Sequence, residues 1–242
     1  MIKITRVQKG IKYSEEWFAE SINFMNIFQI MVYKFYRGKD EPTKLGFIKK
    51  ISHTLMIDLT QEEEEIFDTF HSKYKNEIRR AIKEDISFEV AKKDEWEFFR
   101  EEYNKFAEVR GLTLITKEKL EGLKDSIFLT KSIYQDKVLN YHFYVKDEKN
   151  VRLQYSIDIL HEDVERKIYG WSNKFLHYKD MCEVKQNGYE KYDFGGIAKD
   201  TKDKGLEGIN NFKMKFGGEM IEESSYESMV YYLFYTIKEK LS

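Results

Sequence analysis

The chain has 242 residues, which at about 150 residues per domain predicts one large domain or two small ones. Lys and Arg number 41 against 43 Asp and Glu, so the net charge of −2 argues against a chain built mainly to neutralise nucleic-acid phosphate, while leaving room for a local basic groove. Aromatic residues make up 16%, which excludes a disordered chain, and the single cysteine, Cys182, excludes an internal disulfide and a cysteine-cluster metal site.

In chain order, Ser14 predicts the cap of a short helix through Asn23, with Trp17, Phe18 and Ile22 on one side. Residues 26–37 and 44–58 read as strands joined by a polar turn at 38–43. The apolar run at 24–35 holds Asn26, Gln29 and Lys34 and falls short of the ~20 apolar residues of a membrane span. Residues 1–10 show no apolar leader, so a cytoplasmic protein is expected, in solution or at the inner face of the membrane. Thr60 and Glu63 have capping-box spacing, predicting a helix to Lys83 with Ile66, Phe67, Phe70, Tyr74, Ile78 and Ala81 as its apolar stripe. A strand at 86–91 and helices at 93–110 and 116–124 follow. Strand patterns at 127–135, 138–146 and 151–159, with short polar connections, predict an antiparallel meander. A long helix at 161–187 stops at Asn187-Gly188, and a short strand runs from Glu190 to Phe194. A helix at 205–215, a strand at 218–223 and a final helix at 228–241 complete the chain.

From residue 86 onward the predicted order is β-α-α-β-β-β-α-β-α-β, the element order of a GNAT-type acyltransferase domain. The run Tyr192-Asp193-Phe194-Gly195-Gly196-Ile197 is followed by Gly208-Ile209, then Phe212-Lys213, then Phe216-Gly217-Gly218. This pair of blocks resembles the C-terminal signature of the FemABX family, the peptidoglycan-bridge aminoacyltransferases and their relatives in envelope polysaccharide loci. Lys73 to Ala81 resembles the family's K-x-R-x-x-I-x-x-A helix, with Lys75 where the family has Arg. Trp171 to Tyr178 resembles its Asn-bearing helix, with Ser172 in place of Ala, and Asn26 to Gln29 resembles its N-terminal strand. The resemblance implies an α+β, three-layer, GNAT-like fold with a central, mostly antiparallel mixed sheet. It predicts a transferase domain at 86–242, preceded at 1–85 by a partial second GNAT-like unit and its connecting helix. The coiled-coil insertion that some members carry has no counterpart. Nor is there a pyrophosphate loop of the R/Q-x-x-G-x-G/A kind, since Arg166 to Gly170 lacks the second glycine.

Lys213 is the first candidate for catalysis. A cation can stabilise the tetrahedral oxyanion of acyl transfer, and the resemblance places this lysine near the reacting carbonyl, with Phe212 beside it. An exposed helix lysine next to Lys215 is the alternative. Asp193, or a phosphate of the substrate, is expected to take a proton from the acceptor; capping the following turn or holding Lys213 by a hydrogen bond is the alternative for Asp193. Gly195 and Gly196 let backbone approach a ligand. Lys75, Arg79, Arg80 and Lys83 share a helix with Lys73, and their fork and ammonium groups suit the phosphates of an acceptor; a solvated face is the plain alternative. Lys34, Tyr36 and Arg37 are a weaker phosphate site. The resemblance turns Asn173 toward the cleft, Tyr178 lies on the same helix, and Tyr155 in the meander can reach the cleft; a polar helix surface and core packing are the plain alternatives. The five histidines form no HExxH, no GxSxG or P-loop is present, and Cys182 reads as packed.

The expected function is acyl or aminoacyl transfer to an amine or hydroxyl of an envelope glycan or peptidoglycan precursor, by direct attack in a ternary complex. The donor is acyl-CoA or aminoacyl-tRNA, with no permanently bound cofactor. The acceptor is a phosphate-bearing glycan or lipid-linked molecule. An acyl-CoA enzyme acting on a nucleotide-linked amino sugar and a catalytically inert binding domain are the rival expectations.

Overall fold

The computed structural model describes residues 1–8, 11–38 and 45–241. The chain opens with β1 (Ile2–Gln8) and β2 (Ile11–Trp17), which pair antiparallel from Ile2 opposite Trp17 to Gln8 opposite Ile11. The helix expected from Ser14 is therefore a strand. Glu15 and Glu16 look like a solvated helix face but are buried. Glu15 accepts from Trp17 Nε1 at 2.9 Å and pairs with Lys34 at 3.1 Å and with Arg6, while Glu16 meets Lys3 at 3.1 Å. Asn23 then caps a 3-10 turn at Phe24–Phe28, so Asn26 to Gln29 is not strand. β3 (Ile30–Tyr36) and β4 (Phe47–Asp58) follow; the turn expected at 38–43 lies, from residue 39, outside the described residues.

The single helix expected to Lys83 is two, α1 (Glu63–Asp68) and α2 (Ser72–Lys83). The capping box is Glu62 with Glu65, because Thr60 is turned to Asp58 at 2.7 Å. The break comes from tertiary contact. Phe70 packs on Phe216 at 5.2 Å, and the His71 N–H donates to Lys215 O at 2.8 Å, so His71 caps α2. Next come β5 (Ser87–Val90), α3 (Glu95–Arg110), α4 (Lys117–Leu123) and the meander β6 (Ile127–Tyr134), β7 (Lys137–Lys146) and β8 (Asn150–Asp158). α5 (Arg166–Gln186), β9 (Lys191–Ile197), α6 (Lys204–Met214), β10 (Glu219–Ser228) and α7 (Met229–Leu241) end the chain.

Two compact units result. The smaller comprises Met1–Thr54, Lys117–Asp125 and the segment from Ile221. Its strands run in the order β1-β2-β3-β10-β4, with β2 and β3 parallel, and Met31, Tyr33, Phe47 and Tyr226 lie in its core. The larger comprises Leu55–Thr116 and Ser126–Met220. Its order is β4-β9-β8-β7-β6-β5, antiparallel from β5 to β8 and parallel between β8 and β9. The boundary expected near residue 85 falls within this unit.

β7 is buried on both faces, and strand alternation sorts its side chains. Tyr141 and Phe143 pack against Phe99 of α3, at 5.9 and 5.3 Å between rings. His142 and Tyr144 turn instead to α5, where both meet Asp180. No helix among the described residues is long and apolar enough to cross a membrane.

Candidate active site

β8 and β9 pair over only three positions, ending with Arg152 opposite Asp193. Past that point they part. Gly195 stands at the parting with φ +73°, where an added Cβ would lie 2.8 Å from the Leu153 carbonyl oxygen; this approach admits only glycine. The gap between the strands is a cavity of about 480 Å³. β8 lines it with Leu153, Gln154, Tyr155 and Ser156, and β9 with Phe194, Gly195 and Gly196. α5 contributes Asn173 and His177, and α6 contributes Gly205, Gly208, Ile209, Phe212 and Lys213.

Lys213 donates from Nζ to the Gly196 carbonyl at 2.7 Å. Burial, reinforced by the Arg152 guanidinium and opposed by Asp193, lowers its pKa to about 8. No other Lys or Arg is among the described residues that line the cavity. A group held this way is a cation at neutral pH with its charge incompletely solvated, which is the condition under which it binds a developing oxyanion strongly.

Asp193 lies beneath the cavity. It is fully buried, one oxygen 2.7 Å from Arg152 Nη1 and the other accepting the Gly195 N–H at 2.8 Å. It holds the vertex where the strands part and is not among the lining residues, so the geometry gives it a structural task. Tyr155 lines the cavity with its ring 4.5 Å from that of Tyr103. Tyr178 does not line it. Its ring packs on Phe67 at 4.9 Å and Phe70 at 6.2 Å, and burial raises its pKa to about 12. Cys182 is buried, and burial pushes its thiol up to about 11, which fits a packed, unreactive side chain.

The basic face of α2 is also absent from the lining. Lys75 pairs with Asp68 at 3.2 Å, Arg79 lies over Phe67 at 5.5 Å, Arg80 lies over Trp171 at 5.4 Å, and Lys83 is exposed. α2 supports the site by packing: its buried Tyr74 packs on Phe212 at 5.7 Å, and its half-buried Glu77 pairs with Lys174 at 3.0 Å. Lys34 and Arg37 belong to the smaller unit, where Lys34 pairs with Glu15 and Arg37 lies over Phe18 at 5.2 Å.

Sequence reasoning set the histidines aside, yet His177 lines the cavity and His142 stands behind it, with the two rings 4.1 Å apart. Asn173, His177 and Asp180 fall at i, i+4 and i+7 of α5 and so share one stripe. That spacing is the signal the sequence carried. It is completed by strand alternation at His142 and Tyr144 and by Tyr192, which face the same stripe. His142 Nδ1 lies 2.7 Å from Asp180, Tyr144 OH 2.5 Å from Asp180, Tyr192 OH 2.7 Å from Tyr144 OH, and His177 Nδ1 2.7 Å from Tyr192 OH. Burial, then His142, Lys213 and Lys174, hold the His177 pKa well below its usual value, so its imidazole is neutral.

No protein-family model and no curated protein matches the chain. Solved structures do. FemX superposes with a TM-score of 0.60 at 13% identity, covering 83% of this chain and 67% of that one. The C-terminal domain of a putative lysylphosphatidylglycerol synthetase from Agrobacterium fabrum gives 0.57 at 13%, covering 93% and 79%. L-PGS from Bacillus licheniformis gives 0.56 at 11%, covering 96% and 82%. These likenesses show the fold: an α+β, FemX-like arrangement, as the C-terminal blocks implied.

Proposed function

We propose that the chain is an acyltransferase whose cavity between β8 and β9 takes the acyl end of an activated donor and passes it to an amine or hydroxyl. The observation that carries this reading is Lys213. It is a cation of lowered pKa, fixed at the Gly196 carbonyl inside the cavity that the parting strands open. Direct attack on the donor carbonyl forms an oxyanion, which Lys213 stabilises, and collapse expels the carrier. The edges of β8 and β9 offer backbone groups along which an extended acyl carrier can lie. The lysylphosphatidylglycerol synthetase name supports an aminoacyl donor and a lipid acceptor, while the resemblance of the C-terminal blocks supports an envelope glycan precursor as acceptor. The α2 basic face lies outside the cavity lining and stays a candidate for the phosphates of an acceptor.

A thermal-shift panel tests the reading, with acyl-CoAs, aminoacyl-tRNA analogues and nucleotide sugars added to the chain and to Lys213→Met. Stabilisation by one donor class, followed by transfer from it to an amine or hydroxyl acceptor, supports it. Failure of both donor classes to bind would leave a binding domain of the same fold.

A further inference from the structure

We propose that His177 is the proton acceptor of this cavity, its Nε2 lone pair kept available by a one-way hydrogen-bond chain through Tyr192 and Tyr144 to Asp180. The inference rests on the transferase reading for its chemistry but not for its geometry. Counting protons sets the direction of the chain. The Tyr144 hydroxyl donates to Asp180 Oδ2 at 2.5 Å, which commits its one proton. The 2.7 Å contact between Tyr144 and Tyr192 then needs Tyr192 as donor, and the 2.7 Å contact between Tyr192 and His177 needs His177 Nδ1–H as donor. A neutral imidazole with its proton on Nδ1 bears its lone pair on Nε2. His177 lines the cavity, and its Nε2 has no hydrogen-bond partner among the described residues.

His142 reinforces the same order. Its Nδ1–H donates to Asp180 at 2.7 Å, and its Nε2 faces the Asn173 amide at 3.4 Å, so Asn173 joins the cavity wall to the chain. In the reaction, the attacking N–H or O–H bond breaks as the new bond to the carbonyl carbon forms. The proton goes to His177 Nε2, and the imidazolium gives it to the departing carrier atom when the tetrahedral intermediate collapses. Lys213 and the chain to Asp180 bracket this step. The lysine meets the oxyanion, and the chain fixes the His177 tautomer and ring orientation from behind. Tyr192, Tyr144 and Asp180 act as positioning residues.

The test is long-range ¹H–¹⁵N correlation of the full chain labelled at histidine nitrogen, with His177 assigned by its loss in His177→Gln. The expected result is the Nδ1–H tautomer in the wild type. Tyr144→Phe, which removes the acceptor for Tyr192 without touching the His177 ring, frees the Tyr192 proton for Nδ1 and moves His177 to the Nε2–H tautomer. An Nε2–H tautomer in the unmodified chain overturns the proposal without recourse to any variant. So does stoichiometric binding of added Zn²⁺ that shifts His142 and His177 together, since His142, His177 and Asp180 would then be a metal site. In the transfer assay, His177→Gln lowers kcat about tenfold or more while leaving donor affinity unchanged. An unchanged kcat overturns the proton-acceptor role and leaves the transferase reading in place. Absence of donor binding by the wild type overturns the transferase reading and leaves the tautomer result standing.

Discussion

Arg152 and Asp193 face each other at the last paired position of β8 and β9, and their 2.7 Å contact closes the vertex of the cavity. Both side chains are almost wholly buried. Asp193 also accepts the Gly195 N–H, so one carboxylate ties the strand pair to the glycine that turns the chain away. The pair fixes where the strands part, and hence where a ligand can enter.

Asp193→Ala removes one partner of the buried Arg152–Asp193 pair together with the acceptor of the Gly195 N–H. The expected loss is about 3–5 kcal/mol of folding stability, read by urea denaturation. A variant as stable as the wild type but inactive would instead make Asp193 a chemical group.

Gly195 and Gly196 are neighbours with opposite expectations. Gly195→Ala meets both a positive φ and a carbonyl 2.8 Å away, and is expected to cost about 1–3 kcal/mol and to disturb the cavity. A Cβ at Gly196 meets nothing within 4 Å, so Gly196→Ala is expected to fold normally. Comparing the two melting curves checks this, and equal behaviour would remove the close approach as the reason for glycine at 195.

Lys213 sets a pH dependence. Its pKa of about 8 lies below the ordinary 10.5, so activity that needs its charge falls as pH rises through about 8. Stability moves the other way. Between about 8 and 10.5 the unfolded chain binds more protons at this position than the folded chain, so stability gains with rising pH. Lys213→Met removes both effects, and the difference between wild-type and variant curves reads them. A wild-type activity profile flat across pH 8 would contradict the assigned role.

The basic face of α2 supplies a control. Arg79→Ala and Lys83→Ala lie outside the cavity lining and are expected to leave the donor-induced thermal shift unchanged. Loss of that shift in either variant would bring α2 into the donor site.

Much of the larger unit was legible in the sequence because its elements keep a regular period. Trp96, Phe99 and Tyr103 mark α3, alternation marks the meander, and Asn187-Gly188 marks the end of α5. The errors arose where distant residues decide. Glu15 is acceptable inside a strand only because Arg6, Lys34 and Trp17 meet it. The break between α1 and α2 follows from Phe216 and Lys215, more than 140 residues away. The glycines and Lys213 were visible as a motif. The chain from Asp180 to His177 was not, because its donors come from three separate elements and no single segment shows them together. The α2 lysines and arginines lie outside the cavity lining, and a solvated face and a phosphate-binding face look alike in one dimension.

The central claim is that Lys213 serves acyl transfer in the cavity between β8 and β9. Its most direct test is turnover of wild type and Lys213→Met with the donor that stabilises the wild-type chain. The account predicts turnover lower by about tenfold or more, with a melting temperature equal to or above that of the wild type, because methionine carries no charge to desolvate. Near-normal turnover in a folded Lys213→Met would contradict it.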